Sequence, residues 1–104
     1  MIYMMATLNV KPDKVREFNG FLGQELAPFL GKLGMELAGS WISSVGVMHE
    51  VVDLWSFESF QHFERVMSSI VKDPEFRKLD ARLRTMVTSE TTKMLSPLPC
   101  SPLK

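Results

Sequence analysis

The side chains best suited to binding or chemistry lie near the middle of the sequence. If residues 47–57 form a strand, side chains alternate between its two faces, and one face carries His49, Val51, Asp53, Trp55 and Phe57. An imidazole, a carboxylate and two aromatic rings on one face are more typical of a concave binding site than of a plain core. The sequence therefore predicts a site on this strand without identifying the molecule that would occupy it.

His49 and Asp53 are the polar groups of that face. Four residues of a strand place them ~13 Å apart at about 3.3 Å per residue, so they are not a direct pair within one chain. They could meet across the lumen of a dimer. Because no nucleophile stands beside them, polar residues at the wet mouth of a barrel are the favoured interpretation, and no catalytic residue is predicted.

Aromatic residues complete the predicted ligand site. Tyr3, Trp41 and Trp55 are interpreted as the walls of this site. His49 and Asp53 are interpreted as the polar groups that would hydrogen-bond a ligand. The two tryptophans could stack a planar ligand or stabilise a radical in oxygen chemistry. Large residues of this kind more often anchor an interface, which is the favoured interpretation of both.

The sequence predicts neither a metal site nor a bound cofactor. The methionines are not accompanied by His or Cys in an array, and Cys100 stands alone in a Pro-rich tail, where we expect a reduced thiol. His62 follows Phe60 by two positions on a predicted helix and is expected to face solvent. No phosphate-binding loop or catalytic triad is present as a motif.

Composition limits the classes of function. A chain of 104 residues with 45% apolar residues fits one domain with one modest core, and such domains often complete their burial by self-association. The 12 basic and 12 acidic residues balance, so no basic stripe favours nucleic acid. The N-terminus lacks the cationic lead of a signal peptide, and no run is long enough to span a membrane. We expect a soluble protein of the cytoplasm.

Periodicity predicts the elements that position the site. Alternation predicts strands over residues 2–10, 35–43, 47–57 and 87–95, and apolar residues at steps of three and four predict three helices. The first helix is expected to begin after a cap at Asp13, to be kinked near Gln24 by Pro28 and to end at Gly34. The others are expected to begin at Ser59 and at the Asp73-Pro74 step.

The register of the central hairpin stays open at this stage. A two-residue loop at Val45-Gly46 would pair Trp41 with Glu50, whereas a three-residue loop would pair it with His49. The second alternative puts both tryptophans on one face. It is favoured because Gly46 suits the left-handed last position of a three-residue loop.

The order of elements predicts an α+β, ferredoxin-like split βαβ fold, a four-stranded antiparallel sheet with helices on one face. The other face would be bare, and we expect it to carry Tyr3, Met5 and Thr7 beside Val51, Asp53, Trp55 and Phe57. Two copies that close sheet against sheet would form a dimeric α/β barrel with a lumen. Residues 1–96 would form this domain, and the Pro-rich residues 97–104 a C-terminal arm lying on a surface.

Several segments resemble one known family. The segments 37–41 (Leu-Ala-Gly-Ser-Trp) and 51–55 (Val-Val-Asp-Leu-Trp), with Gly46 between them, resemble the Gly-x-Trp, Gly and His-Leu-Trp pattern of NIPSNAP domains. Weaker pieces are Lys11-Pro12, the Asp-Pro-Glu-Phe segment 73–76 and the Ser-Pro-Leu segment 101–103. The resemblance implies a dimeric α/β barrel fold. The sequence departs from the family pattern at two positions. Asp53 stands where a His is usual, and His49 stands where members tend to carry Asn or another polar residue.

The resemblance implies no settled reaction, since NIPSNAP members have none and are linked to vesicle and mitochondrial roles in animals. The fold superfamily also includes heme-degrading and cofactor-free monooxygenases, a link by fold alone. The leading prediction is a homodimer without a cofactor that binds a small hydrophobic or aromatic molecule in the barrel lumen or a cleft. The alternatives are a cofactor-independent or heme-linked monooxygenase resting on His49, and a protein-interaction scaffold.

Overall fold

The first strand of the chain lies at the centre of the sheet. In the computed structural model, which describes residues 1–104, β1 spans Ile2–Val10. After a 3₁₀ turn at Pro12–Lys14, the elements are α1 (Val15–Phe21), a π-helical segment (Leu22–Leu26), α2 (Ala27–Lys32), β2 (Glu36–Ile42), β3 (Glu50–Phe57), α3 (Phe60–Lys72), α4 (Pro74–Met86) and β4 (Val87–Leu95). The four strands are antiparallel in the order β2-β3-β1-β4. The predicted ferredoxin-like α+β fold is confirmed.

The two faces of the sheet follow from the pairing of β1 with β3. Ala6 pairs with Asp53 and Met4 with Trp55. The face that packs against the helices, called the helix face, therefore carries Ile2, Met4, Ala6, Leu8 and Val10 with Val51, Asp53, Trp55 and Phe57. The opposite face, called the open face, carries Tyr3, Met5, Thr7 and Asn9 with Glu50, Val52, Leu54 and Ser56.

The prediction that Tyr3 shares a face with Asp53 and Trp55 is therefore wrong. Tyr3 pairs with Ser56, so its side chain points to the face opposite Trp55. The physical reason is burial: β1 and β3 each have one strongly apolar side, and only this register lets the helices cover both. A slip of one residue would expose one of them.

The hairpin between β2 and β3 has a longer loop than either predicted alternative. Its strands close where the Ser43 N–H donates to the Glu50 carbonyl over 2.8 Å, and residues 43–49 belong to neither strand. His49 has a φ of 62° and Gly46 one of 114°, both in the left-handed region. An extended strand cannot continue through His49, so β3 begins at Glu50 rather than at the predicted Val47.

The longer loop puts the two tryptophans on opposite faces. Trp41 pairs with Val52 on the open face, and the favoured pairing with His49 is wrong. The pairing of β2 also shifts between Leu37 and Gly39. A methyl group at Gly39 would collide with the indole ring of Trp41, which folds back over this glycine. The Gly-x-Trp spacing therefore has a local structural cause.

The first helix is interrupted where Pro28 was expected to disturb it. Proline has no N–H, so the carbonyl of Gln24 loses its regular partner four residues ahead. The helix widens there, and the Ala27 N–H bonds to the carbonyl of Leu22, five residues back. The predicted cap at Asp13 is wrong, because α1 begins without a side-chain hydrogen bond and Asp13 lies within the 3₁₀ turn.

The other two helices begin as predicted. The Ser59 hydroxyl oxygen accepts from the His62 N–H over 3.1 Å. The Asp73 carboxylate accepts from the N–H groups of Glu75 at 2.8 Å and Phe76 at 3.3 Å, and Pro74 is the first residue of α4. These caps satisfy amide groups that have no partner within the helix.

The core lies in one layer between the helices and the sheet. It contains 19 buried hydrophobic residues, including the fully covered Phe18, Phe21, Phe57, Ile70 and Met86. The molecule measures 39 × 36 × 20 Å, so its short axis holds one layer of helices on one sheet. No helix has the length and apolar character needed to cross a membrane.

The C-terminal residues return to the start of the chain. No strand or helix follows Leu95, and the Tyr3 hydroxyl donates to the carbonyl of Lys104 over 2.8 Å. Tyr3 is buried although it belongs to the open face. The division into a domain of residues 1–96 and an arm of residues 97–104 stays a prediction.

Candidate functional site

A cavity of about 390 Å³ lies between the helices and the sheet. This volume falls within the range of small-molecule pockets, roughly 300–1,000 Å³. Fourteen of its 19 lining residues are hydrophobic, so the cavity suits a mostly apolar guest. Its polar lining residues are Asp53, Asp80, Arg84, Glu90 and Thr92.

The floor of the cavity is formed by Asp53, Ala6 and Thr92, which belong to a row of small side chains across the sheet. The pairing aligns Ser40, Asp53, Ala6 and Thr92 on the helix face of β2, β3, β1 and β4. The neighbouring row is made of the larger residues Leu37, Trp55, Met4 and Met94. Close packing needs large groups opposite small ones, and the helices do not fill the space above this row. A depression centred on Asp53 and Ala6 results.

The helices form the apolar roof. The helical stretch around Pro28 contributes Phe18, Leu22, Leu26 and Leu30, and α3 contributes Phe63, Met67 and Ile70. Leu22 and Leu26 are the first and last residues of the π-helical segment. Because a π turn is wider than an α turn, it changes the direction of these two side chains relative to a regular helix. Such segments occur frequently at functional sites.

Asp53 is the single buried charged residue of the chain, with 3% of its surface exposed. The Ser40 hydroxyl donates to its Oδ1 over 2.6 Å. Its Oδ2 has no hydrogen-bond partner in the chain and is not sealed off, which leaves it accessible from the cavity. Burial raises the pKa of Asp53, the bond from Ser40 opposes this rise, and the nearby Glu90 adds to it. The floor thus presents an under-solvated carboxyl to any guest.

Charged residues border the cavity between α4 and β4. The Arg84 guanidinium lies 3.1 Å from Asp80 Oδ1 and 2.9 Å from Glu90 Oε1. Arg84 is half exposed, and Glu90 is the less exposed of its two partners. The apolar cavity therefore has a charged rim in which Arg84 is shared between two carboxylates.

The structure brings together two of the five residues predicted to bind a ligand. Asp53 and Trp55 both line the cavity. Tyr3 lies on the other side of the sheet beneath the C-terminus, and Trp41, 59% exposed, also belongs to the open face. His49 lies in the hairpin loop, where its carbonyl accepts from the Val10 N–H over 2.9 Å. The five residues predicted to bind a ligand therefore do not form one site within a single chain.

His62, expected to face solvent, is partly exposed. Its Nδ1 accepts from the Glu58 N–H over 3.0 Å, and its ring centroid lies 5.9 Å from that of Phe57 in an edge-to-face arrangement. It lies beside a second hollow, lined by Gly34, Glu36 and Glu58 among others, and away from the main cavity. Neither imidazole of the chain lines the main cavity.

Sequence reasoning missed Ser40, Arg84, Glu90 and Thr92. Ser40 and Thr92 could have been found from the correct strand register, since both pair in the row of Asp53 and Ala6. The side chain of Arg84, on α4, reaches the rim of the cavity. No group of three or more His, Cys, Asp or Glu residues could hold a metal ion.

Comparison with known proteins connects the chain to one family. The family model described as NIPSNAP matches residues 3–102, nearly the whole sequence. None of the curated proteins matches the sequence.

Solved structures show the same fold over nearly the full length. An uncharacterized NIPSNAP domain protein from Burkholderia xenovorans has a TM-score of 0.89 at 22% identity, covering 98% of this chain and 99% of that chain. A NIPSNAP family protein from Agrobacterium tumefaciens has a TM-score of 0.90 at 18% identity, covering 99% and 98%. At these identities the likeness establishes the fold alone.

A more distant structure carries a description that mentions an activity. A protein from Nitrosomonas europaea, provisionally described as an antibiotic biosynthesis monooxygenase, has a TM-score of 0.71 at 10% identity, covering 94% of this chain and 99% of that chain. The same fold therefore occurs in proteins assigned to oxygen chemistry, which says nothing of the chemistry of this chain.

Proposed function

The chain belongs to the NIPSNAP family, and we propose that this member binds a small hydrophobic or aromatic molecule in the cavity between its helices and its sheet. The observation that carries the proposal is an apolar cavity of about 390 Å³ with one buried carboxyl, Asp53, on its floor. Small-molecule sites combine mostly apolar walls with a few polar groups that fix orientation. The ring of Trp55 and the side chains of Leu22 and Leu26 form walls of this kind.

The expected affinity is low. An aromatic guest that buries about 200 Å² gains roughly 5 kcal/mol at ~25 cal/mol per Å². A hydrogen bond to the charged oxygen of Asp53 adds about 1.5–3 kcal/mol, and loss of translational freedom opposes both. Since that loss costs at least about 4 kcal/mol, dissociation constants of about 1 mM or weaker are expected.

Filling the cavity tests the proposal. Ala6 is buried on the floor beside Asp53, whereas the adjacent Thr7 points to the open face. We expect Ala6→Leu to weaken the binding of 2-naphthol at least tenfold, because the larger side chain occupies the space of the guest. Thr7→Leu adds bulk to the same strand on the other side of the sheet and should leave binding unchanged. Equal affinities in the wild type and folded Ala6→Leu would contradict a site in this cavity.

The intrinsic fluorescence of Trp55 offers a second measurement. Trp41 is exposed on the open face and would add signal unrelated to the cavity. In a Trp41→Phe background, the emission of Trp55 should change with 2-naphthol and stay constant when Ala6→Leu is added. This readout reports on occupancy next to the ring and does not depend on the heat of binding.

Self-association through the open face is part of the same proposal. Met5, Val52 and Leu54 are half-buried there, and Trp41 is 59% exposed. A second copy that packs sheet against sheet would cover these residues and form the predicted dimeric barrel. Support comes from the thinness of the molecule, 20 Å, which leaves this face without a second layer.

Sedimentation velocity at micromolar concentration tests the assembly. We expect a dimer for the wild type and a monomer for Leu54→Lys, which places a charge on the open face. Gln61→Lys, at an exposed position of α3 on the other side of the sheet, is a control. A wild-type protein that sediments as a stable monomer would refute the dimer and would leave the binding proposal standing, since the cavity lies within one chain.

A cofactor-independent oxygenase is the second candidate. Such an enzyme needs a base that removes a proton from the substrate, and Asp53 is a carboxyl of raised pKa in an apolar cavity. The form of this alternative that rested on His49 lacks support, because that residue lies in the hairpin loop. Oxygen consumption with quinol-like aromatics, present in the wild type and lost in Asp53→Asn, would favour the oxygenase.

A cytoplasmic location stays a prediction of the sequence.

A further inference from the structure

We propose that the cavity selects guests that carry a hydrogen-bond donor or a positive charge at one end, such as phenols and amines, and rejects carboxylates and phosphates. The inference rests on the proposed binding function and specifies which class of molecule the site takes. Three observations support it. Most charged groups of the cavity are carboxyl groups, the single cation, Arg84, is already paired with two of them, and Oδ2 of Asp53 has no hydrogen-bond partner in the chain.

The ionisable groups of the cavity favour positive charge. They are three carboxyl groups, on Asp53, Asp80 and Glu90, and one guanidinium, on Arg84. Arg84 lies 3.1 Å from Asp80 and 2.9 Å from Glu90, so both carboxylates compete with an acidic guest for it. No lysine or histidine lines the cavity. An anionic guest would meet a net negative surface without a free cation.

The floor of the cavity offers an acceptor and few donors. The hydroxyl hydrogen of Ser40 is directed to Asp53 Oδ1 over 2.6 Å, and the neutral side-chain donors in the lining are the hydroxyl of Thr92 and the indole N–H of Trp55. Asp53 is 3% exposed, and its Oδ2 has no partner in the chain. A buried carboxylate without enough donors is poorly solvated, and an N–H or O–H from a guest restores a charge-assisted hydrogen bond.

The same geometry explains why an acidic guest is rejected at neutral pH. A guest carboxylate on the floor would face the carboxyl of Asp53, with Glu90 on β4, on the far side of β1. Two carboxyl groups in contact share one proton, so such a guest binds only when the pH is low enough for that proton to be present. Amines and phenols need no added proton, because they supply the donor themselves.

Four probes of one shape test the selection. Calorimetry at pH 7.5 would compare naphthalene, 2-naphthol, 2-naphthylmethylamine and 2-naphthoate with the wild-type protein. The expected result is that the amine and the naphthol bind about tenfold or more tightly than naphthalene, and the naphthoate about tenfold or more weakly. Naphthoate binding as tightly as the amine, or equal affinities for all four probes, would overturn the inference.

The comparison separates the two proposals. If naphthalene and the other three probes all fail to bind, the proposed binding function fails. If naphthalene binds in the cavity, as judged by its loss in Ala6→Leu, and the polar probes do not follow the expected order, the function stands and the selection fails.

Asp53→Asn identifies the group responsible. The amide keeps the shape of the carboxyl and removes its charge, so the tenfold advantage of the amine over naphthalene should disappear. Asp80→Asn, at the rim, is the matched control and should lower the advantage by much less, because Asp80 is more exposed and paired with Arg84. An amine preference retained in folded Asp53→Asn would overturn the role of Asp53. Should that variant not fold, the order of the four probes on the wild type still decides.

The pH dependence of binding is an independent readout. Asp53 is faced by Glu90 from β4 and by Asp80 and Arg84 from α4, while α1, the π-helical segment, α2 and α3 contribute only apolar residues. Between pH 4 and 8 the amine stays protonated, so its binding should strengthen as the Asp53 carboxyl ionises. Naphthoate binding should weaken over the same range. Parallel trends for the two probes would contradict the inference.

Discussion

At the scale of the residue, the chemistry of the molecule converges on Asp53. The sequence places it on one face with Trp55, and both residues line the cavity. Its carboxyl is an acceptor with an increased tendency to hold a proton, because burial raises its pKa.

Burial of Asp53 makes the stability of the fold depend on pH. Because burial raises the pKa of this carboxyl, the folded chain holds the proton more tightly than the unfolded chain does. The contribution of Asp53 to the free energy of unfolding is therefore greatest below its ordinary pKa and falls as the pH rises through its folded value. Above the folded pKa this contribution no longer changes.

The variant Asp53→Asn isolates that contribution. We expect its free energy of unfolding, relative to the wild type, to increase as the pH rises from about 4 and to level off above the folded pKa. Urea denaturation of both proteins from pH 4 to pH 8 measures the difference, in which the other titrating groups cancel. A difference that does not vary with pH would show that the carboxyl titrates alike in both states.

At the scale of the element, local signals predicted where helices and strands lie better than which faces they share. Pro28, Ser59 and Asp73-Pro74 marked an interruption and two helix starts, and all three were confirmed. Each is a local effect on backbone hydrogen bonds. The register of β3 against β1 is a long-range property, and it decided that Asp53 faces the helices. The alternation within each strand identifies its apolar side but does not give the alignment of the two strands.

The loop of residues 43–49 shows the same limit within one hairpin. Gly46 predicted a left-handed residue correctly, with a φ of 114°. His49 adopts a φ of 62° as well, which is uncommon for a residue with a side chain and has no clear signature in the sequence. That second left-handed residue ends the loop and sets the pairing of Trp41 with Val52.

Two aspartates allow a direct comparison of helix starts. Asp73 accepts bonds from the N–H groups of Glu75 and Phe76, whereas Asp13 makes no capping bond. We expect Asp73→Ala to lower the free energy of unfolding by about 1 kcal/mol and Asp13→Ala to change it by less than about 0.5 kcal/mol. Thermal or urea denaturation measures both. Equal losses would mean that charge near the helix start, not the side-chain bond, carries the effect.

At the scale of the whole molecule, one sheet with one layer of helices accounts for both proposed interactions. The helix face contains the cavity, and the open face is available for a second copy. The fold and the family followed from the order of elements and from the quoted segments of sequence. The location of the cavity did not, because it depends on how four strands align their small residues in one row across the sheet.

The proposed domain boundary can be tested by truncation. A chain that ends at Ser96 loses the bond from the Tyr3 hydroxyl to the Lys104 carbonyl and uncovers part of the open face. We expect the shortened protein to fold, with a loss of about 1–3 kcal/mol in the free energy of unfolding. Tyr3→Phe in the full chain should lose about 1 kcal/mol, since it removes the hydrogen bond alone. An unfolded truncated chain would place residues 97–104 inside the domain.

The central position of β1 constrains the order in which the protein can be made. A ribosome synthesises β1 first, yet its neighbours in the sheet are β3 and β4, and β4 ends at Leu95 of 104 residues. Until β3 and β4 emerge, an apolar strand has two unpaired edges, which is the state in which nascent chains aggregate or engage chaperones. Native structure therefore forms only after β4 has been translated, and slow synthesis should reduce the yield of folded protein.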